Sequence, residues 1–145
     1  IARHTPHVVQ INTGRGCHLE ANHVRQALGR IDLTAIDLLI IENVGNLICP
    51  VGFDLGQDGK IGLFAVSDGD DKAAKHPYLV HEAALILLGK TDLLPHVSFD
   101  TELFEQDVRL LNSSVPVMRC SATTGQGLDQ WLDWITKRMP ALIGA

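Results

Sequence analysis

Cysteine is scarce: Cys17, Cys49 and Cys120 are the three in 145 residues. An odd and scattered set supports no disulfide framework and fits reduced thiols in a cytoplasmic compartment. A basic excess is also lacking. Twelve Lys and Arg stand against 17 Asp and Glu, for a formal charge of −5. That balance argues against a general nucleic-acid binder, which would carry a basic face. No apolar run approaches the roughly 20 residues of a membrane-spanning helix. The opening "IARHTPHVVQ" has no long apolar stretch of the kind that directs secretion. Internal repeats and low-complexity linkers are absent, and so is an initiator Met. The chain therefore reads as a piece whose first part lies elsewhere.

What is present is ordinary for a globular protein: 46% apolar and 20% charged residues, in a length that suits one domain over 1–145. "HVVQI" (7–11) reads as a short strand running into the turn "NTGRG". Residues 18–30 read as a helix, with Leu19, His23, Val24 and Ala27 on one face. The run "IDLLIIEN" (36–43) suits a parallel strand covered on both faces. "KIGLFAVSDGDD" (60–71), "AALILLGKTDLLP" (83–95) and "VPVMRCSATTGQG" (115–127) repeat the design of apolar strand followed by polar loop. Amphipathic helices are expected over 100–112 and 128–139. Strands alternating with helices predict an α/β domain with a mostly parallel sheet. Ligands of such sheets bind beyond the carboxyl ends of the strands, where these loops should gather.

Three loops carry chemistry. In "ENVGN", Glu42 follows an apolar run and Gly45 stands three residues on. That is the spacing of an acid on the magnesium side of a nucleotide and a glycine N–H toward its terminal phosphate. The alternative is an acid that ends a strand. In "GKTDLLP", Lys90 and Asp92 fit the Lys-x-Asp of guanine-selective nucleotidases, with Gly89 where Asn is usual. The next strand-end loop, "SATTGQG", offers Ser121 and Ala122 as a second guanine contact; the alternative is two ordinary turns. Cys17, His18 and Cys49 form the third set. Two thiolates and an imidazole suit zinc or nickel, against the alternative of cysteines that are simply packed. A Cys17–His18 nucleophile lacks an orienting third group. His23 is a further candidate beside them. Cys120, Trp131 and Trp134 read as core, and His4, His7, His76, His81 and His96 as solvated or capping residues.

In this order, "QINTGRGCHLEA", "LLIIENVGNLICP", "FDLG", "VSDGDDKAAKHP", "KTDLLPH" and "SATTGQGLDQWLDW" closely resemble the hydrogenase nickel-incorporation GTPases, the HypB family. The likeness runs from about Thr5 to Trp134. "GCHLEA" followed by "ENVGNLICP" is specific to that family, while urease accessory GTPases share the general plan with another metal motif. The resemblance implies a P-loop NTPase fold of the SIMIBI type and a G domain over 1–145. It implies GTP with Mg2+, a homodimer formed on nucleotide binding, and delivery of nickel to the large subunit of nickel–iron hydrogenase with a partner metallochaperone. By it, Cys17, His18 and Cys49 bind Ni2+ or Zn2+ at the dimer interface. Glu42 and Gly45 serve catalysis, and Lys90, Asp92, Ser121 and Ala122 bind the guanine nucleotide. Some relatives place a histidine four residues past the one matched by His18; Asn22 stands there, with His23 next to it.

The departures shape the expectation. The phosphate-binding Gly-x-x-Gly-x-Gly-Lys-Thr does not occur in these 145 residues. Neither do the strand before it and the acidic first switch segment. Efficient GTP hydrolysis by this polypeptide alone is therefore not expected, and an unpaired sheet edge is. Two readings follow. One is a nickel-delivery GTPase that couples GTP binding and hydrolysis to dimerisation and to release of nickel. The other is a non-enzymatic metal-binding or dimerisation module that has lost nucleotide chemistry.

Overall fold

The computed structural model describes residues 5–143. They fall into two compact units that divide between Asp58 and Gly59.

The first unit is held mainly by turns. Its one α-helix is α1 (Ala21–Leu28), and 3-10 turns span Leu33–Ala35 and Cys49–Gly52. Glu20 starts α1 through a reciprocal cap. Its side chain accepts from the His23 backbone N–H, while His23 Nδ1 accepts from the Glu20 N–H at 3.2 Å. Two of the helix-start donors are thereby satisfied. Leu19 and Val24 are the buried apolar anchors of this segment. The helix is shorter than the apolar spacing over 18–30 suggests, because the capping box fixes its start at Ala21 and Gly29 ends it.

The two strands expected in this half are not formed. Residues 7–11 and 36–43 have no ladder among the described residues. Ile36 keeps extended backbone, with φ −125° and ψ 124°, but Leu38, Leu39 and Ile40 are 45, 41 and 67% exposed. A strand exists through hydrogen bonds to a neighbour. Apolar composition supplies the propensity without the partner.

The second unit is a three-layer α/β arrangement. Strands β1 (Ile61–Ala65), β2 (Leu85–Gly89) and β3 (Val117–Arg119) form a parallel sheet in that order. Ile61 pairs with Leu85 and Ala65 with Gly89; Ile86 pairs with Val117 and Leu88 with Arg119. Central β2 is buried along its whole length, as its unbroken apolar run predicts. Its alternate residues serve opposite faces. Leu85 and Leu87 join Cys120 under Met118, Leu128, Trp131 and Trp134, the last three from helix α5 (Leu128–Ile143). The Arg138 guanidinium lies 4.4 Å over the Trp134 ring. The remaining helices are α2 (Lys72–Lys75), α3 (Pro77–Glu82) and α4 (Thr101–Leu111). They carry the buried Ala73, Leu79, Val80, Phe104 and Val108, and the Phe64 and Phe104 rings meet edge-on at 5.4 Å.

Local chemistry sets the element ends. The Asp100 carboxylate caps α4 by accepting from the Glu102 and Leu103 N–H groups at 2.9 and 3.0 Å. Asn112 closes α4 and ties it to α3 by donating to the Val80 carbonyl at 3.1 Å. On β1, Ile61 and Leu63 are 40 and 63% exposed while Gly62 and Phe64 are buried. Its outer edge has no ladder among the described residues.

Phe104 is fully buried between Phe64 and Phe99. Phe104→Ala is expected to lower stability by about 3–5 kcal/mol. Leu110→Ala, on the exposed side of the same helix, should cost about 0.5 kcal/mol or less. Chemical denaturation of the two variants checks the contrast.

Candidate functional site

At the carboxyl end of β2 the chain turns sharply. Lys90 adopts left-handed backbone, φ 58° and ψ 34°, a conformation costing a non-glycine residue about 1 kcal/mol. It starts the 3-10 turn Thr91–His96, with the Leu93 N–H donating to the Lys90 carbonyl at 2.9 Å. The loop after β3 is knitted to this turn. Thr91 N–H donates to the Cys120 carbonyl at 3.2 Å, and Cys120 N–H to the Leu88 carbonyl at 2.9 Å. Buried Ser121 then donates its hydroxyl to Asp92 Oδ1 at 2.6 Å and accepts from the Thr124 N–H at 3.2 Å.

Four of the sequence-predicted nucleotide residues thus sit on two adjoining loops: Lys90 and Asp92 on one, Ser121 and the exposed Ala122 on the other. The short O–H···O− bond holds the carboxylate by one oxygen. No described residue bonds to the other, Oδ2. The arrangement can present a fixed acceptor to two N–H donors on a flat ring. Thr91 Oγ1, buried beside it, has no hydrogen-bond partner among the described residues. Gly125 and Gly127, at φ 81° and 74°, make the returning turn. A Cβ built on Gly127 would overlap the Arg119 carbonyl oxygen.

Cys17, His18 and Cys49 lie together in the first unit. Cys17 Sγ is 3.6 Å from His18 Nδ1. A hydrogen bond with the Cys49 thiol is the main cause pushing the Cys17 thiol above its ordinary value, with desolvation and the charge of Cys49 acting the same way. Two thiols this close resist ionising together; a bound cation removes that resistance. Among the described residues no three His, Cys, Asp or Glu side chains are grouped so that they could hold a metal ion. Cys17 is exposed and Cys49 half-buried. Cys120 is buried, and burial pushes its thiol up, which suits the core role its position suggests.

Residues that sequence reasoning passed over hold this group. The Phe53 ring stacks on His18, with centroids 3.7 Å apart and planes 17° from parallel. Glu20 Oε1 lies 3.9 Å from His18 Nε2. Asn43 Oδ1 accepts from the Leu19 N–H at 3.0 Å and the Val44 N–H at 2.9 Å. Asn46 Oδ1 accepts from the Ile48 and Cys49 N–H groups at 2.8 and 3.2 Å. Asparagine's habit of folding onto nearby backbone was a usable signal at positions 43 and 46; a lone Phe carried none. His23 is taken up by the α1 cap through Nδ1. Glu42 and Gly45 are exposed. No described residue pairs with the Glu42 carboxylate, and a Cβ on Gly45 would meet nothing within 4 Å. In the second unit, Asp70, Ser98, Phe99, Asp100, Thr101 and Glu102 line a shallow, open surface depression, and none of them is a sequence-predicted site residue.

The CobW/HypB/UreG nucleotide-binding domain family matches residues 1–119. The hydrogenase maturation factor HypB of Azotobacter vinelandii is 50% identical over 130 residues, covering 90% of this chain and 43% of that protein. The chain thus spans less than half the length of that relative. Two crystal structures are similar. HypB of Helicobacter pylori in complex with nickel gives a TM-score of 0.86 at 31% identity, covering 92% of this chain and 64% of that one. The hydrogenase maturation factor HypB of Archaeoglobus fulgidus gives 0.82 at 38%, covering 88% and 67%.

The turn that braces Ser121 depends on Gly127. Gly127→Ala is expected to lower stability by at least about 2 kcal/mol, from positive φ and backbone overlap together. Gly125→Ala, with open space around its Cβ, should cost about 1 kcal/mol. Thermal unfolding of the pair measures the difference.

Proposed function

The chain belongs to the CobW/HypB/UreG nucleotide-binding family and, within it, to HypB, and on that premise we propose that it is part of a nickel-delivery GTPase of nickel–iron hydrogenase maturation. The observation that carries the proposal is Cys17 Sγ lying 3.6 Å from His18 Nδ1 in the unit that also holds Cys49. The donor set supports it: two thiols and an imidazole suit Ni2+ or Zn2+ as cargo.

In this reading Asp92, braced by Ser121, accepts from the guanine edge, while Lys90 and Ala122 flank the ring. Glu42 and Gly45 serve the phosphate end. Magnesium supplies charge neutralisation at the phosphates, and Glu42 is the residue of this chain that would hold it. Segment 42–49 carries both an acid for the nucleotide and a thiol for the cargo. Movement of that segment with nucleotide state would open or close the nickel site. A homodimer, a metallochaperone that supplies nickel, the hydrogenase large subunit that receives it, and a cytoplasmic location complete the proposal. No helix among the described residues is long and apolar enough to cross a membrane. The rival reading, a metal module without nucleotide chemistry, leaves the braced Asp92 without a use.

Cys17→Ala and Cys49→Ala are each expected to abolish stoichiometric nickel or zinc binding, while Cys120→Ala leaves it intact. Equilibrium metal titration of the three variants decides, and equal losses in all three would sink the assignment. In the complete protein, Asp92→Ala should weaken GTP by roughly 10- to 100-fold, the range for losing hydrogen bonds to a charged group. ATP binding should change little. An unchanged preference between the two nucleotides, read by calorimetry, would count against the guanine site.

A further inference from the structure

We propose that Asn43 is the positioning residue that sets the spacing between the Cys17–His18 loop and the Cys49 loop, an inference that rests on the metal reading above. Two contacts between these loops bear on it. One is the Phe53 ring on His18. The other is the Asn43 carboxamide, whose Oδ1 receives the Leu19 N–H across 24 residues of sequence.

The two differ in kind. The ring stack involves His18, itself a candidate ligand. The Asn43 bond uses neither a candidate ligand atom nor a titrating group, so loading the site does not require it to break.

Its placement gives it leverage. Leu19 is 4% exposed and directly follows His18, so fixing its N–H fixes the backbone from which the imidazole projects. Asn43 also bonds the Val44 N–H and directly follows Glu42. Three residues on, Asn46 repeats the device on Cys49, receiving the Ile48 and Cys49 N–H groups. One short segment thus uses one carboxamide for each half of the ligand set. An acceptor that takes two N–H groups at this reach is what the Asn43 position requires; a longer side chain would carry the oxygen out of register.

The test is nickel titration of the full protein, followed by thiolate-to-nickel charge-transfer absorption, in about 1 M salt so that added charge is screened within roughly 3 Å. Asn43→Ala and Asn43→Gln are expected to weaken nickel binding about 10- to 100-fold, the usual loss for a group that orients a metal ligand, and to alter the charge-transfer band. Asn43→Asp, which keeps an oxygen in place, should restore most of the affinity and the native band. Asn22→Ala, whose partner is Arg25 within α1, should change nothing. Unaltered affinity in Asn43→Ala, or equal losses in the Asp and Gln variants, overturns the proposal. If Asn43→Ala fails to fold, the Gln and Asp pair decides alone. Cys17→Ala run alongside separates the two readings: if it still binds nickel normally, the metal site itself fails, whatever Asn43 does.

Discussion

Strand β2 is the constraint on which the second unit depends. Its five residues, Leu85–Gly89, are buried on both faces and paired on both edges. Leu85 and Leu87 anchor α5 through two tryptophans, while Ile86 and Leu88 face the opposite layer. A strand locked this fully has a fixed carboxyl end. The left-handed Lys90, the Thr91–His96 turn and the Asp92 carboxylate start from that point. The Cys120 N–H bond to Leu88 and the Thr91 N–H bond to Cys120 carry the same rigidity into the neighbouring loop. Ser121 is therefore delivered to Asp92 by backbone ladder as much as by its own hydrogen bond. Burial of apolar strand residues is what makes a polar pair at their end geometrically dependable.

The first unit solves a similar problem with other means. Among its described residues there is no ladder, so side-chain amides take the place of sheet bonds. Asn12, Asn43 and Asn46 each accept from backbone N–H groups of turns, and Asp32 and Asp54 do the same elsewhere. Such bonds are individually modest, about 1 kcal/mol each, and most are local, the Leu19–Asn43 bond across 24 residues excepted. A segment held in this way yields more readily than one built into a sheet. That difference suits the proposed roles: a base-reading loop gains from rigidity, whereas a cargo site that must both take and release an ion gains from a looser frame.

Legibility from sequence followed the same division. The parallel strands at 61–65, 85–89 and 117–119, and the helices at 101–111 and 128–143, announce themselves by burial pattern and period, because in each the local pattern agrees with its partners. Residues 7–11 and 36–43 carry strand composition without a strand, since pairing is a property of two segments and the sequence of one cannot supply it. The Ser121–Asp92 pair was suggested by the order of two motifs, and the geometry brings the two side chains together. Cys17, His18 and Cys49 group by donor chemistry, and the family likeness narrows that set to a metal reading. Of their supports, Asn43 had a usable turn signal, while a phenylalanine near a core is too common to single out Phe53. His23 was ambiguous in sequence, and the α1 cap explains its Nδ1 without a metal.

Gly89 bears on how the proposed guanine loop is braced. Gly89 stands where the guanine-selective Asn-Lys-x-Asp pattern carries asparagine. Packing does not enforce the glycine: a Cβ would sit 3.5 Å from the Phe64 carbonyl oxygen, an ordinary contact, and Gly89 is not among the positive-φ residues. Thr91 N–H, Ser121 Oγ and the turn closed by Gly125 and Gly127 hold the Lys90–Asp92 segment against the loop after β3. Ser121, fully buried and bonded through its hydroxyl in two directions, is a side chain that braces the Asp92 carboxylate.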